Sequence, residues 1–174
     1  MRQRGAGGLT DEVIAIDGKA LRRSHNRKKS LGPLFLVSAW SVQRGISLGQ
    51  LATEEKSNEI TAIPELIDQI ELNNAIVTID AAGCQKNIAA KIVDKGGDYL
   101  LALKGNQGTL YQGAMDWVID QMENDFSTTT VERYLETAKG HGREDTVEYF
   151  HLPAPKTLPD ASLWKELRTI GVAV

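Results

Sequence analysis

Two aspartates stand where a divalent metal ion could bind. Asp17 ends the apolar run VIAI at 13–16, Asp80 ends the run AIVTI at 75–79, and small residues follow each of them. Carboxylate oxygens are hard ligands that suit Mg²⁺ or Mn²⁺. If the two runs form neighbouring strands, both carboxylates emerge at one sheet edge and can share cations that drive an in-line displacement at phosphorus. The alternative is that both are turn residues, because Asp is common where strands end.

Basic and amide side chains also follow apolar runs of this kind. Lys19, Arg22 and Arg23 come after Asp17 and begin a strip of six basic residues, 19–29, that contains no acid. Such charges could hold phosphates without reading base sequence, although a solvated loop is the alternative. The polar residues Lys104, Asn106 and Gln107 leave a later apolar run and could contact DNA, whereas Asn106 could instead cap a helix.

The composition fits one ordinary globular domain. The chain has 174 residues, 41% hydrophobic and 25% charged, with a net charge of −3. No apolar run approaches the roughly 18 residues of a membrane-spanning helix, and the N-terminus does not read as a secretory signal. The single cysteine, Cys84, fits a reducing cytoplasm and is expected to be a buried small hydrophobe.

The elements that must position the aspartates can be read from the apolar spacing. Strands are predicted at 13–17, 34–42 and 46–51, the first ending in an Asp-Gly turn, and short links favour an antiparallel meander. A helix follows with Pro64 at its first position, then the strand at 75–79. A helix around 88–93 stopped by Gly96 and Gly97, a strand at 99–103 and a helix at 110–122 complete the pattern.

The remainder reads as strand again. Residues 128–138, 146–152 and 167–174 alternate like strands, with Gly-His-Gly at 140–142 as a turn. The order predicts an α/β fold with a mixed sheet and a β-rich insertion or extension after about residue 127. Residues 1–11 are expected to be a lead or linker and 12–174 to form the domain.

Several segments resemble one family. IAIDGKALRRS (14–24), LVSAWS (36–41), EKSNEITAIPELI (55–67), VTIDAAGCQKNIA (77–89) and DYLLALKGNQGTL (98–110) closely resemble the H-repeat-associated, ISAs-type insertion-sequence transposases. The resemblance extends from about residue 12 to the HGRED segment near Asp145. KSNEI, TIDAxGCQ and ALKGNQ, in this order, make it highly specific.

The resemblance implies a ribonuclease-H-like fold and metal-dependent cleavage and strand transfer of insertion-sequence DNA ends. It matches Asp17 and Asp80 to the first and second catalytic aspartates, both ligands of Mg²⁺ or Mn²⁺. It further implies double-stranded DNA as partner and substrate, and a homodimer.

One part of the family pattern is missing. The third acidic residue is expected in a C-terminal helix with an HWxIEN-like motif, which does not occur here. Glu144 and Asp145 are expected to be structural or DNA-facing, so the third ligand is expected beyond Val174 and the chain is expected to be an incomplete catalytic domain. The alternatives are an inactive DNA-binding remnant and a ribonuclease-H-like nuclease.

Overall fold

The structure is a computed structural model that describes residues 12–21, 34–53, 59–140 and 143–174. The side chains of residues 59, 139, 143 and 144 are not part of this description. The chain divides into two compact units, Met1–Leu103 and Lys104–Val174.

The first unit contains a five-stranded mixed sheet. Its strands lie in the order β3-β2-β1-β4-β5. The pairs β1–β2 and β2–β3 are antiparallel, whereas β1–β4 and β4–β5 are parallel. This arrangement confirms the antiparallel meander and the ribonuclease-H-like mixed sheet. The strands are β1 (Glu12–Ala20), β2 (Phe35–Ser41), β3 (Ile46–Thr53), β4 (Ala75–Ile79) and β5 (Asp98–Leu101).

Two helices and one face of this sheet enclose the core. Helix α1 (Glu59–Gln69) contacts β2 and β3, and helix α2 (Lys86–Asp94) contacts α1 and β5. Alternate strand residues face the helices, as expected from the two-residue period of a strand. The fully buried members of this core include Ile14, Val37, Leu66, Ile67, Leu72, Val77, Ile88 and Ile92. We call the opposite side of the sheet the distal face.

Two sequence predictions about these elements were wrong. Strand β1 does not turn at Asp17 but continues to Ala20, because β2 pairs with it as far as Ala20 opposite Phe35. A partner strand thus overrides the local Asp-Gly turn signal. Pro64 lies inside α1, which begins five residues earlier, rather than at its first position. The helix tolerates one missing backbone donor because its apolar side is buried against the sheet.

The end of α2 also secures the end of α1. Gly96 adopts a positive φ of 80°, and the N–H of Gly97 donates to the carbonyl of Ile92 at 3.1 Å, which closes a Schellman-type cap. Lys95 Nζ donates to the carbonyls of Ile67, Asp68 and Ile70 at 2.7, 3.1 and 2.7 Å. One side chain thereby donates to three carbonyls at the end of α1, where helix carbonyls lack the full set of intrahelical partners.

The second unit places a helix beside a three-stranded antiparallel sheet. A 3₁₀ turn, Gly105–Gln107, leads into helix α3 (Gly108–Glu123). The sheet has the order β6-β7-β8 and consists of β6 (Glu132–Gly140), β7 (Arg143–Pro153) and β8 (Thr169–Ala173). The predicted β-rich extension is confirmed, although its first strand begins at Glu132 rather than at residue 128. Residues 141 and 142 of the predicted turn lie outside the described residues.

The described helices include none that is both long and apolar enough to cross a membrane.

Candidate active site

The two aspartates follow neighbouring parallel strands in register. The last paired residues of β1 and β4 are Ile16 and Ile79, so Asp17 and Asp80 occupy the next position on each chain. Neighbouring strands in a sheet are about 4.8 Å apart. The structure therefore brings these two residues together at the point where the pairing of β1 with β4 ends.

Asp17 lies on the distal face, and Asp80 directly follows the end of β4. Ile16 and Ile79, the residues before them, are buried in the core against the helices. Successive strand residues point to opposite faces, so Asp17 turns away from that core. Both aspartates are exposed. A cation and a substrate could therefore approach them from solvent.

The loop after β4 fixes the Asp80 carboxylate. Its Oδ1 accepts hydrogen bonds from the backbone N–H groups of Ala82 and Gly83, at 3.0 and 3.4 Å. Gly83 is buried, and a Cβ there would lie 2.3 Å from Ile79 Cγ2 and 3.0 Å from Ile63 Cδ1. The tight packing explains the small residues after Asp80, because a side chain at 83 would displace the loop.

The Asp17 carboxylate forms no hydrogen bond or ion pair with another described residue. Its direct neighbour across the antiparallel pair is Ser38 of β2. Likewise, no described donor bonds to Oδ2 of Asp80. Two exposed carboxylates with available oxygens fit a Mg²⁺ or Mn²⁺ ion, which commonly takes one or two protein carboxylates and fills its shell with water and phosphate oxygens.

A third acidic ligand is not found among the described residues, where no group of three His, Cys, Asp or Glu could hold a metal ion. Asp145 is exposed on β7 opposite Ala138 in the second unit. The side chain of Glu144 is not described. The location of the third ligand stays a prediction.

The predicted phosphate-binding residues are distributed over both units. Lys19 is exposed and lies two positions after Asp17 on the same face of β1, about 7 Å along the strand. It belongs to a strand rather than to the predicted loop, because β1 continues to pair with β2. Arg22 and Arg23 lie outside the described residues.

Lys104, Asn106 and Gln107 form the start of the second unit. Lys104 and Asn106 are exposed and Gln107 is half-buried, and the N–H of Gln107 donates to the carbonyl of Lys104 at 3.0 Å. The N-cap position of α3 falls on Gln107, whose side chain makes no capping hydrogen bond. DNA contact by these three residues stays a prediction.

Cys84 is a buried thiol. Its side chain is 2% exposed, and burial raises the pKa of the thiol to about 11. A thiol that stays protonated at neutral pH is a poor nucleophile, so the expectation of a buried small hydrophobe is confirmed.

Sequence reasoning missed two polar residues of the distal face. Ser38 lies directly opposite Asp17, and Gln50 of β3 lies directly opposite Ser38. The sequence does carry a local signal, which is a polar residue between two apolar or small residues of a strand. Ser38 lies between Val37 and Ala39, and Gln50 lies between Gly49 and Leu51. Only the strand register shows that both continue the row of Asp17.

Comparisons with known proteins agree with this geometry. The family model described as "Transposase DDE domain" matches residues 8–161. The chain is 41% identical over 165 residues to "H repeat-associated putative transposase YhhI" of Escherichia coli. It is 48% identical over 139 residues to "Putative transposase YncI" of the same species.

The chain matches only part of these relatives. The match to YhhI covers 94% of this chain and 43% of the relative, and the match to YncI covers 79% of this chain and 55% of the relative. The chain thus spans about half the length of the curated relatives it matches.

Proposed function

The chain belongs to the transposase DDE domain family, and we propose that it forms the metal-binding part of a transposase that cleaves and rejoins insertion-sequence DNA. The observation that carries the proposal is the in-register placement of Asp17 and Asp80 at the end of the β1–β4 pairing. The similarity to proteins named as transposases supports the reaction type.

Asp17 and Asp80 are proposed as ligands of Mg²⁺ or Mn²⁺. When bound, such ions activate a water or 3′-hydroxyl and neutralise charge at the scissile phosphate. The protein's own contribution is positioning. The loop N–H groups orient the Asp80 carboxylate, and two rigid neighbouring strands set its separation from Asp17.

Electrostatics give a reason for a lysine, Lys19, near the two carboxylates. Two exposed carboxylates on adjacent strands repel each other and repel DNA unless a cation neutralises them. Lys19 on the same face supplies positive charge next to this pair without contributing a metal ligand. DNA is accordingly expected to bind more tightly when the divalent ion is present.

The same proposal covers the substrate, further DNA contacts, the oligomeric state and the extent of the catalytic domain. The substrate is double-stranded DNA at the ends of the element, with Arg22, Arg23, Lys104, Asn106 and Gln107 as further DNA contacts. Two ends must be processed together, so a homodimer is proposed. Residues 12–174 are proposed as an incomplete catalytic domain, with the third acidic ligand outside this chain.

The test combines metal binding with DNA nicking. Wild-type chain is expected to bind Mn²⁺ weakly, because two carboxylates leave most of the shell to water, and to nick DNA little or not at all. Asp17→Asn and Asp80→Asn should each weaken Mn²⁺ binding in isothermal titration about tenfold or more. Asp145→Asn is the matched control and should bind Mn²⁺ like wild type. Equal Mn²⁺ affinity in all four proteins would refute the assignment.

A longer protein that contains the chain and supplies a third acid should nick DNA carrying the element's ends when Mn²⁺ or Mg²⁺ is added. The same two substitutions should abolish that nicking. Full activity in the Asp17→Asn protein would show that the chemistry lies elsewhere. Cleavage without strand transfer would instead favour a ribonuclease-H-like nuclease.

A further inference from the structure

A row of three polar side chains crosses the distal face of the first unit, and Asp80 follows next to it at the end of β4. Gln50 on β3 pairs with Ser38 on β2, Ser38 pairs with Asp17 on β1, and Asp80 holds the next register position after β4. The row therefore extends from the two carboxylates to the β3 edge of the sheet.

The neighbours of Ser38 and Gln50 fix the face on which they lie. Val37 and Ala39, on either side of Ser38, are buried in the core. A Cβ at Gly49 would lie 2.9 Å from Leu66 Cδ1 of α1, so position 49 also faces the helices. By the alternation of a strand, Ser38 and Gln50 face the other way, together with Asp17.

Both side chains are available to a ligand. Gln50 is exposed and Ser38 is half-buried, and neither side chain forms a hydrogen bond with a described residue. Both can donate hydrogen bonds, through a hydroxyl and an amide. Neither carries a negative charge.

The positions beside the row are consistent with an anionic ligand. Lys19, Leu36 and Ala52 flank it on one side, and Ala15 and Trp40 on the other. Lys19 is the charged member of this set. Away from the two aspartates, the strip thus combines neutral donors with one cation, which suits phosphate oxygens and not a second divalent ion.

Building on the proposed function, we infer that Ser38 and Gln50 bind the phosphodiester backbone of the DNA strand that flanks the scissile phosphate. Asp17 and Gln50 are two strand spacings apart, about 10 Å, which is the span of a few nucleotides at roughly 3.4 Å of axial rise each. The strand would leave the metal site over Ser38 and pass Gln50 at the sheet edge. These are binding residues, because they hold phosphate groups away from the reacting atoms.

The sharpest test adds a charge at the end of the row. Gln50→Lys would provide one new phosphate contact. For a short fluorescein-labelled DNA duplex in a Mn²⁺-containing buffer, the slope of log affinity against log salt concentration should become steeper by about 0.9. Gln69→Lys is the matched control, since Gln69 is an exposed residue of α1 on the opposite side of the sheet. Its slope should stay near that of wild type.

A second variant removes a donor from the centre of the row. Ser38→Ala should weaken binding to the same duplex about threefold to tenfold, the net effect of one ordinary hydrogen bond. Its Mn²⁺ affinity and unfolding temperature should match wild type, because Ser38 is not proposed as a metal ligand.

The DNA path and the metal site would fail in different measurements. Equal slope changes for Gln50→Lys and Gln69→Lys, or unchanged duplex affinity for Ser38→Ala, would overturn the DNA path while leaving the metal site intact. Loss of the metal site would appear independently, as unchanged Mn²⁺ binding in the Asp17→Asn protein.

Discussion

The two units differ in how their apolar side chains are buried. In the first, aliphatic side chains from the sheet and both helices are fully buried in one core. In the second, Phe126, Phe150 and Leu152 form one small cluster with Trp117 and Val131 packed against it, and Leu110, Val118, Leu158 and Trp164 are also buried. The single aliphatic core of the first unit lies directly under the strands that hold the two carboxylates.

Strand β6 shows this contrast most clearly. Every residue from 132 to 138 is exposed, including Tyr134 at 65% and Leu135 at 61%. Pairing with β7 stabilises the strand, together with contacts such as the Tyr134–Tyr149 ring pair at 6.1 Å. In β1, by contrast, Ile14 and Ile16 are almost completely buried. Core burial positions the site, while cross-strand pairing maintains the hairpin.

The largest expected difference between the units comes from one Leu→Ala change in each. Leu66→Ala removes a fully buried side chain and should lower the free energy of unfolding by about 2–5 kcal/mol. Leu135→Ala should change it by about 0.5 kcal/mol or less, because the side chain is mostly solvated. Urea unfolding followed by circular dichroism measures both. Equal losses would contradict the contrast between the units.

Gly83→Ala should be the most damaging glycine change near the site. The new methyl group would lie 2.3 Å from Ile79 Cγ2, so the loop must move, at about 1–3 kcal/mol of stability. Movement also disturbs the N–H groups that orient Asp80, and Mn²⁺ affinity should fall.

The control for Gly83→Ala is Gly105→Ala, where, apart from its chain neighbours, no described residue has an atom within 4 Å of the new methyl group. It should leave both the unfolding temperature and Mn²⁺ affinity near those of wild type. A stable Gly83→Ala protein with unchanged Mn²⁺ affinity would show that this loop does not position Asp80.

Lys95→Met should lower the free energy of unfolding by about 1–3 kcal/mol, because three carbonyls at the end of α1 lose a charged donor. Lys91→Met is its control. Lys91 forms one ion pair with the exposed Asp68 at 2.7 Å, which contributes about 1 kcal/mol or less. Thermal unfolding of the two variants should rank them in this order, and the reverse ranking would show that Lys95 does not secure the helix end.

The smallest predicted effect is a titration in the hairpin. A hydrogen bond from Tyr149 to Glu136, and the charge of that carboxylate, raise the pKa of Tyr149 above 10.0. The neutral phenol is favoured in the folded state, so its contribution to stability is complete below pH 10 and is lost as pH rises through the raised pKa. Glu136→Gln should move the tyrosinate absorbance transition of Tyr149 to lower pH. No movement would show that the contact is absent in solution.

Apolar spacing was sufficient to predict the order of elements in the first unit, whereas the pairing of the two runs before Asp17 and Asp80 was only a condition of the metal-site hypothesis. It could not predict that β1 passes through Asp17, because the pairing with β2 depends on residues 15 or more positions away. The start of α1 was misplaced for a similar reason. Pro64 is a local signal for a first helical turn, whereas the helix is held by its packing against β2 and β3.

Relations between side chains far apart in the sequence were the least predictable. Lys95 reads as a solvated lysine after a helix, yet it bonds to carbonyls 25–28 positions earlier. Ser38 and Gln50 are polar residues in strands with nothing local to connect them to Asp17. Their connection depends on the register of three strands, which a single sequence does not specify.

The central claim is that Asp17 and Asp80 hold one divalent cation between neighbouring strands, and the most direct test is a crystal of this protein soaked in Mn²⁺. Anomalous diffraction should show a peak about 2.1 Å from a carboxylate oxygen of each aspartate. A Mn²⁺ peak bound elsewhere, with the space between these two carboxylates empty, would contradict the claim.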